Sequence, residues 1–358
     1  MNSTVFWNDW AFERPANSEK IPVTIGGAGE TMTLWKPLAG LFAALALAAC
    51  GGGSGSPGTG DEVPVELCVA SDCGELIVLA TVPDAENLLF TPGGRLFVSG
   101  GTNVFEVVRT GDTTVELTPL SPTDCNFTGL ALRGYTLYAS CGSGELYAAA
   151  LDAEPELAPI HTYENTALPN GMATGADGAL YVTDGPLPGN GSLPSPKIIR
   201  LRFAENDPMQ VVEQITWLDD GLAFPNGLVR RGNLLYFTDS SILPVELGAV
   251  RSVPILPDGS AGDVVTVATF ASLLDDLTSV GDRLIVTGYL SGRIVLLGAD
   301  GVEISGTALG GLSFPSSVIV GQPPMFRPDE LLITEKGILG DTASGVGNRL
   351  TLLRPNPS

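Results

Sequence analysis

Short apolar runs bounded by Gly, Pro, Asp and Asn recur from residue 75 to the end of the chain, and none holds a helical period over a long segment. The clearest unit is Pro225 to Asp239, PNGLVRRGNLLYFTD. It reads as a polar head (Pro225, Asn226, Gly227), a short strand, a tight turn at Arg231-Gly232-Asn233, and a second strand ending on Asp239. Related phrases are GGRLFVSG (93–100), GYTLYASC (134–141), DGALYVTDG (177–185), GNLLYFTDS (232–240), GDRLIVTGY (281–289) and DELLITEKG (329–337). Their aligned leucines, Leu96, Leu137, Leu180, Leu235, Leu284 and Leu331, are separated by 41, 43, 55, 49 and 47 residues. A unit of this length carrying several short strands predicts a propeller blade, and six copies predict an all-β, six-bladed β-propeller with four-stranded antiparallel blades.

The third unit parses into strands near Met172–Thr174, Ala179–Thr183, Lys197–Phe203 and Val211–Trp217. The sixth offers only Ser317–Val320, Glu330–Thr334 and Asn348–Arg354. The run ELIVLATV at 75–82 has no blade of its own, so it is expected to supply the outer strand of the last blade and remove an exposed edge. Leu273–Leu277 has room for one helical turn at most. The Pro/Gly-rich loop at 185–197 lies at the end of the ring where the heads lie, either as a lid or as an ordinary solvent loop.

Residues 1–31 match nothing in the repeat and read as a disordered leader or a mis-assigned start. Residues 32–50, MTLWKPLAGLFAALALAAC, have a lysine, a short apolar run and small residues before Cys50, which predicts a secretory signal. Leu47-Ala48-Ala49-Cys50 resembles a bacterial lipobox, whose cysteine is acylated. On that reading 51–66 is a flexible linker, 67–358 the propeller, and the protein an exported membrane lipoprotein of the outer membrane or periplasm. A formal charge of −22 disfavours nucleic acid and anionic headgroups as partners, leaving the lipid as the only membrane attachment. Apart from Cys50 there are four cysteines, and pairing Cys68 with Cys73 and Cys125 with Cys141 suits an oxidising compartment.

The position that opens each blade converges on the central channel. Counted back from the following strand it is Glu86, Phe127, Asn170, Asn226, Asp275 and Ser316, with Asp276 one step from Asp275 leaving that register open by one. Two carboxylates and two amides around one channel form an oxygen donor set for a hard divalent cation. The competing reading is local: Asn and Asp before Gly are common turn residues. Phe127, Ser316 and Asp239 are expected to face a substrate. His161, the one histidine, is expected in an exposed loop, so neither a His-based zinc site nor a Ser-His-Asp triad can be assembled with any redundancy.

Glu86, Asn170, Asn226 and Asp275, borne on repeats with PNG and LYxTD phrases, resemble the SMP-30/gluconolactonase/LRE-like superfamily over about residues 75–355. The resemblance implies a metal site at these four residues, holding Ca2+ or another divalent cation such as Mg2+, Mn2+ or Zn2+. It also implies hydrolysis of a lactone or ester, with Asp275 as base or nucleophile. The alternative is a non-catalytic propeller lipoprotein that binds a ligand or a protein partner through the same face.

Overall fold

A computed structural model describes residues 66–357 apart from 121–124, 152–153, 186–194, 242–246, 340 and 343–344. The leader, signal segment, Cys50 and nearly all of the linker lie outside the described residues, as does most of the 185–197 loop. No helix among the described residues is long and apolar enough to cross a membrane.

Six four-stranded antiparallel sheets follow one another along the chain. Blade 1 comprises Ala85–Phe90, Leu96–Gly100, Asn103–Arg109 and Val115–Pro119, and blade 2 comprises Phe127–Arg133, Thr136–Cys141, Glu145–Ala150 and Ala158–Thr162. Blade 3 comprises Pro169–Thr174, Leu180–Asp184, Lys197–Ala204 and Asp207–Leu218. Blade 4 comprises Pro225–Arg231, Leu234–Ser241, Leu247–Pro254 and Val265–Phe270. Blade 5 comprises Leu274–Val280, Arg283–Gly288, Arg293–Leu297 and Glu303–Gly306. Blade 6 takes Pro315–Val320, Leu331–Glu335 and Arg349–Pro355 from the C-terminal end and Gly74–Thr81 from the N-terminal end. That last strand pairs antiparallel with Arg349–Pro355, Glu75 opposite Arg354 and Thr81 opposite Arg349, so the expected closure is present. Leu273–Leu277 forms no helical turn, because residues from Leu274 onward enter the ladder with Arg283–Gly288.

The core lies between blades. Phe97, Tyr138, Tyr181, Tyr236 and Ile285, at equivalent places on the second strands, are buried or nearly so and pack against the neighbouring sheet. A buried aromatic or aliphatic side chain of this size contributes about 1.5–3 kcal/mol.

A ring of hydroxyls ties the innermost strands together. Ser99, Thr183, Thr238, Thr287 and Thr334, each three residues after the aligned leucine, donate to the carbonyl of the opening residue of the next blade: Thr128, Asn226, Asp275, Ser316 and Glu86. Three glycines make the same junctions close. A Cβ on Gly129, Gly171 or Gly227 would collide with the backbone of Asn170, Asn226 or Asp276 on the adjoining blade. The glycine of the PNG phrase is therefore needed for blade-to-blade approach, not for a turn. Gly171→Ala is expected to cost about 1–3 kcal/mol by overpacking, read as a fall in the urea midpoint.

Both expected disulfides are present: Cys68–Cys73 and Cys125–Cys141, with Cα–Cα separations of 5.4 and 5.6 Å. The second joins the entry of blade 2 to the end of its second strand and spans 16 residues. A loop of that length restricts the unfolded chain by about 3 kcal/mol. The Cys125→Ala/Cys141→Ala pair is expected to lose about that much, read as a fall in the urea midpoint without reductant.

Candidate functional site

The inner strands deliver the opening residues to one end of the channel, here called the top. Residue pairing fixes their register. Leu88, Leu130, Met172, Leu228, Leu277 and Val318 oppose the residue two after each aligned leucine. Counting back two gives Glu86, Thr128, Asn170, Asn226, Asp275 and Ser316. This selects Asp275 over Asp276. It also corrects the second blade, where the equivalent residue is Thr128 and Phe127 stands in the place of proline. Phe127 is fully buried in the layer between blades 1 and 2, edge-on to Tyr147 with 5.1 Å between ring centroids. Aligning FTG on PNG by its glycine would have found Thr128.

Glu86, Thr128, Asn170, Asn226 and Asp275 line a cavity of about 160 Å3 together with Asn126 and Lys336. Asn170 and Asn226 belong to strands and their backbones are not left-handed, so the turn explanation of these asparagines does not hold. The Asn170 amide faces Glu86 Oε1 at 3.5 Å. Ser316 stays out of the cavity; its hydroxyl donates to the Ala85 carbonyl at 2.8 Å and is buried.

Lys336 was not foreseen. It follows the second strand of blade 6, where the other blades carry Gly101, Gly142, Gly185, Ser240 and Tyr289, so no repeat announces it. Its ammonium is buried, 2.5 Å from Glu86 Oε2 and 3.0 Å from Asp84 Oδ1. Burial works against the charged form, yet the charges of Glu86 and Asp84 outweigh it and raise the lysine pKa.

Asp275 is held well above the usual carboxylate range, first by burial and then by the charge of Glu86, against the opposing pull of Lys336 and a bond from Asn226. Asp276, the next residue, is pushed up to about 6 by burial, even though Ser317 Oγ and Asn87 Nδ2 donate to Oδ2 at 2.6 and 2.8 Å. Asp84 and Glu86 thus share one ammonium, which also draws on Asp275. Such a site gains from a further positive charge.

Among the described residues no group of three or more His, Cys, Asp or Glu side chains is clustered to hold a metal. The donors that do converge are two carboxylates and two amides. An all-oxygen set with surplus negative charge fits Ca2+, Mg2+ or Mn2+ and suits Zn2+ poorly.

Asp239, expected to face a substrate, is instead an anchor. Its Oδ1 accepts the amides of Ala223 at 3.0 Å and Phe224 at 2.7 Å, and Arg251 lies 3.3 Å from Oδ2. Asp184 does the same for Ala167 and Leu168, with Lys197 at 3.8 Å, and Glu335 for Ser313, with Arg349 at 2.8 Å. The terminal acid of the LYxTD phrase therefore holds the segment that leads into its own blade. His161 lies in the outer strand of blade 2, half-buried, with Nε2 2.9 Å from Gln214 Oε1 on blade 3. This replaces the expected exposed loop.

No family model matches the sequence, and no curated protein matches it. Solved structures do. A gluconolactonase from Xanthomonas campestris is 19% identical, with a TM-score of 0.59 over 82% of this chain and 99% of that one. A luciferin-regenerating enzyme is 14% identical, with a TM-score of 0.58 over 78% and 95%. A calcium-binding regucalcin from Agrobacterium tumefaciens is 14% identical, with a TM-score of 0.57 over 81% and 96%. The structural neighbours of this chain are thus gluconolactonase, luciferin-regenerating-enzyme and regucalcin propellers, and it shares their six-bladed fold.

Proposed function

We propose that the protein is a divalent-cation-dependent hydrolase of a lactone or ester, exported and tethered through a lipid on Cys50. The observation that carries this reading is the convergence of Glu86, Asn170, Asn226 and Asp275, from four different blades, on one cavity at the channel mouth. The gluconolactonase and calcium-binding regucalcin among its structural neighbours support it at the level of fold. In this reading the four side chains hold the cation, with Ca2+ the first choice and Mg2+ or Mn2+ the alternatives. When bound, the cation supplies positive charge that polarises a carbonyl and acidifies water. Asp275 takes the proton of the attacking water. The amides of Asn170 and Asn226 orient water and substrate oxygen. Attack breaks the acyl–oxygen bond, and the alcohol oxygen leaves with a proton, giving a hydroxy acid from a lactone or an acid and an alcohol from an ester.

Lys336 gives a second reading some footing. Its ammonium already satisfies Glu86, as a site devoted to ligand binding without a metal would allow. A panel of lactones and 4-nitrophenyl esters, assayed with Ca2+, Mg2+ or Mn2+ and again with chelator, separates the two. Hydrolysis that chelator abolishes and Ca2+ restores supports the hydrolase. Ligand binding with no turnover under any cation supports the binding module.

A further inference from the structure

The inner strands continue upward past the opening residues, each through a register shift against its second strand. Two positions before each opening residue stand Asp84, Asn126, Leu168, Phe224, Leu273 and Phe314. Backbone pairing continues through this level: the carbonyls of Asn126, Leu168, Phe224 and Phe314 accept amides from Gly142, Gly185, Ser240 and Lys336. The residues at this level are apolar over four consecutive blades, with Phe314, at a φ of 56°, outside the cavity lining. Of the two polar residues at this level, Asp84 is occupied by Lys336. Leu168, Phe224 and Leu273 line the cavity directly, and Tyr289 and Leu339 complete that wall.

Tyr289 spends its hydroxyl on the Gly337 carbonyl at 2.7 Å and packs its ring against Phe314, so it presents little polarity to a ligand. Beside it, Leu290, Ile338 and Leu339 stand 49%, 48% and 63% exposed. An apolar rim of this kind above a polar floor marks a ligand site rather than ordinary surface.

Resting on the hydrolase reading above, we infer that the substrate is a lactone or ester carrying an apolar acyl or alkyl group, which lies along the Leu168–Phe224–Leu273–Leu339 wall while its carbonyl meets the polar floor. A polyhydroxylated lactone would leave its hydroxyls unpaired against that wall, and desolvated hydroxyls without partners are disfavoured.

The test uses uncleavable ligands first. Calorimetry in Ca2+ compares δ-valerolactam with its decyl-substituted homologue, on wild type and on Leu339→Glu, whose exposed position leaves the fold intact. The decyl compound is expected to bind at least tenfold more tightly than the short lactam to wild type, and Leu339→Glu to lose most of that ratio. Equal binding of the two lactams, or tighter binding of the polyhydroxylated δ-gluconolactam, overturns the inference. Turnover of 4-nitrophenyl esters from acetate to decanoate then separates the claims. Tight decyl-lactam binding with no ester or lactone cleaved keeps the apolar site and removes the hydrolase. Cleavage that ignores chain length keeps the hydrolase and removes the apolar site.

Discussion

Asp275→Asn is expected to abolish hydrolysis, with a fall of roughly a thousandfold or more, and at the same time to make the cation-free protein more stable at neutral pH. The first effect follows from removing both a cation donor and the proton acceptor. The second follows from the cost of burying Asp275 beside Glu86, which raises its pKa in the fold. At a pH below the ordinary aspartate value the side chain is neutral folded and unfolded, and the two proteins should melt alike. As pH rises, the unfolded chain ionises freely while the folded site resists, so wild type loses stability until its folded-state pKa is passed. Asparagine has no such penalty, and the advantage of the variant should grow as pH rises from 4 to 8. Adding Ca2+ should reverse the order, because only wild type gains from it. Melting curves at pH 4, 6 and 8, each with chelator and with Ca2+, check all three parts. A variant less stable than wild type at pH 8 in chelator would sink the electrostatic account of the site.

Lys336→Met acts in the opposite direction. Methionine matches the stem but leaves Glu86 and Asp84 buried without their ammonium. Removing one partner of a buried pair costs roughly 3–5 kcal/mol. The lysine pKa is raised in the fold, so its contribution is fully present below the unfolded lysine value near ~10.4 and is lost only as pH climbs through the folded value. The gap between wild type and variant should therefore be flat between pH 7 and pH 10. A divalent cation can take over neutralisation of Glu86, so Ca2+ should raise the midpoint of Lys336→Met more than that of wild type. Urea titrations with and without Ca2+ give both numbers. An equal Ca2+ shift in the two proteins would mean that the ammonium and the cation do not share Glu86.

How far this site could be read from sequence depended on repetition. The six leucine-centred phrases carried the blade number and the register of Glu86, Asn170 and Asn226, because each was compared with five others, while Asp275 stayed open against Asp276 and the closing strand at 75–82 followed from an apolar run with no blade of its own. Thr128 was missed when the second head was aligned on Phe127, a large side chain that sits where other blades have proline and points into the interblade core. The glycine at 129 held the true register, since it occupies the point of closest approach between blades. Asp239 repeats in the LYxTD phrase as faithfully as the asparagines do, but periodicity cannot distinguish a side chain turned to its own backbone from one turned to the channel. Lys336 lay beyond reach for the opposite reason. It has no counterpart in the other blades, and only the folded ring brings it across to Glu86, 250 residues earlier in the chain.

The most direct test of the central claim is a calorimetric titration of the purified protein with Ca2+, alongside Asp275→Asn. The account predicts one ion bound per chain by wild type and none by the variant. No binding to wild type at millimolar Ca2+, or the same binding to both proteins, would contradict it.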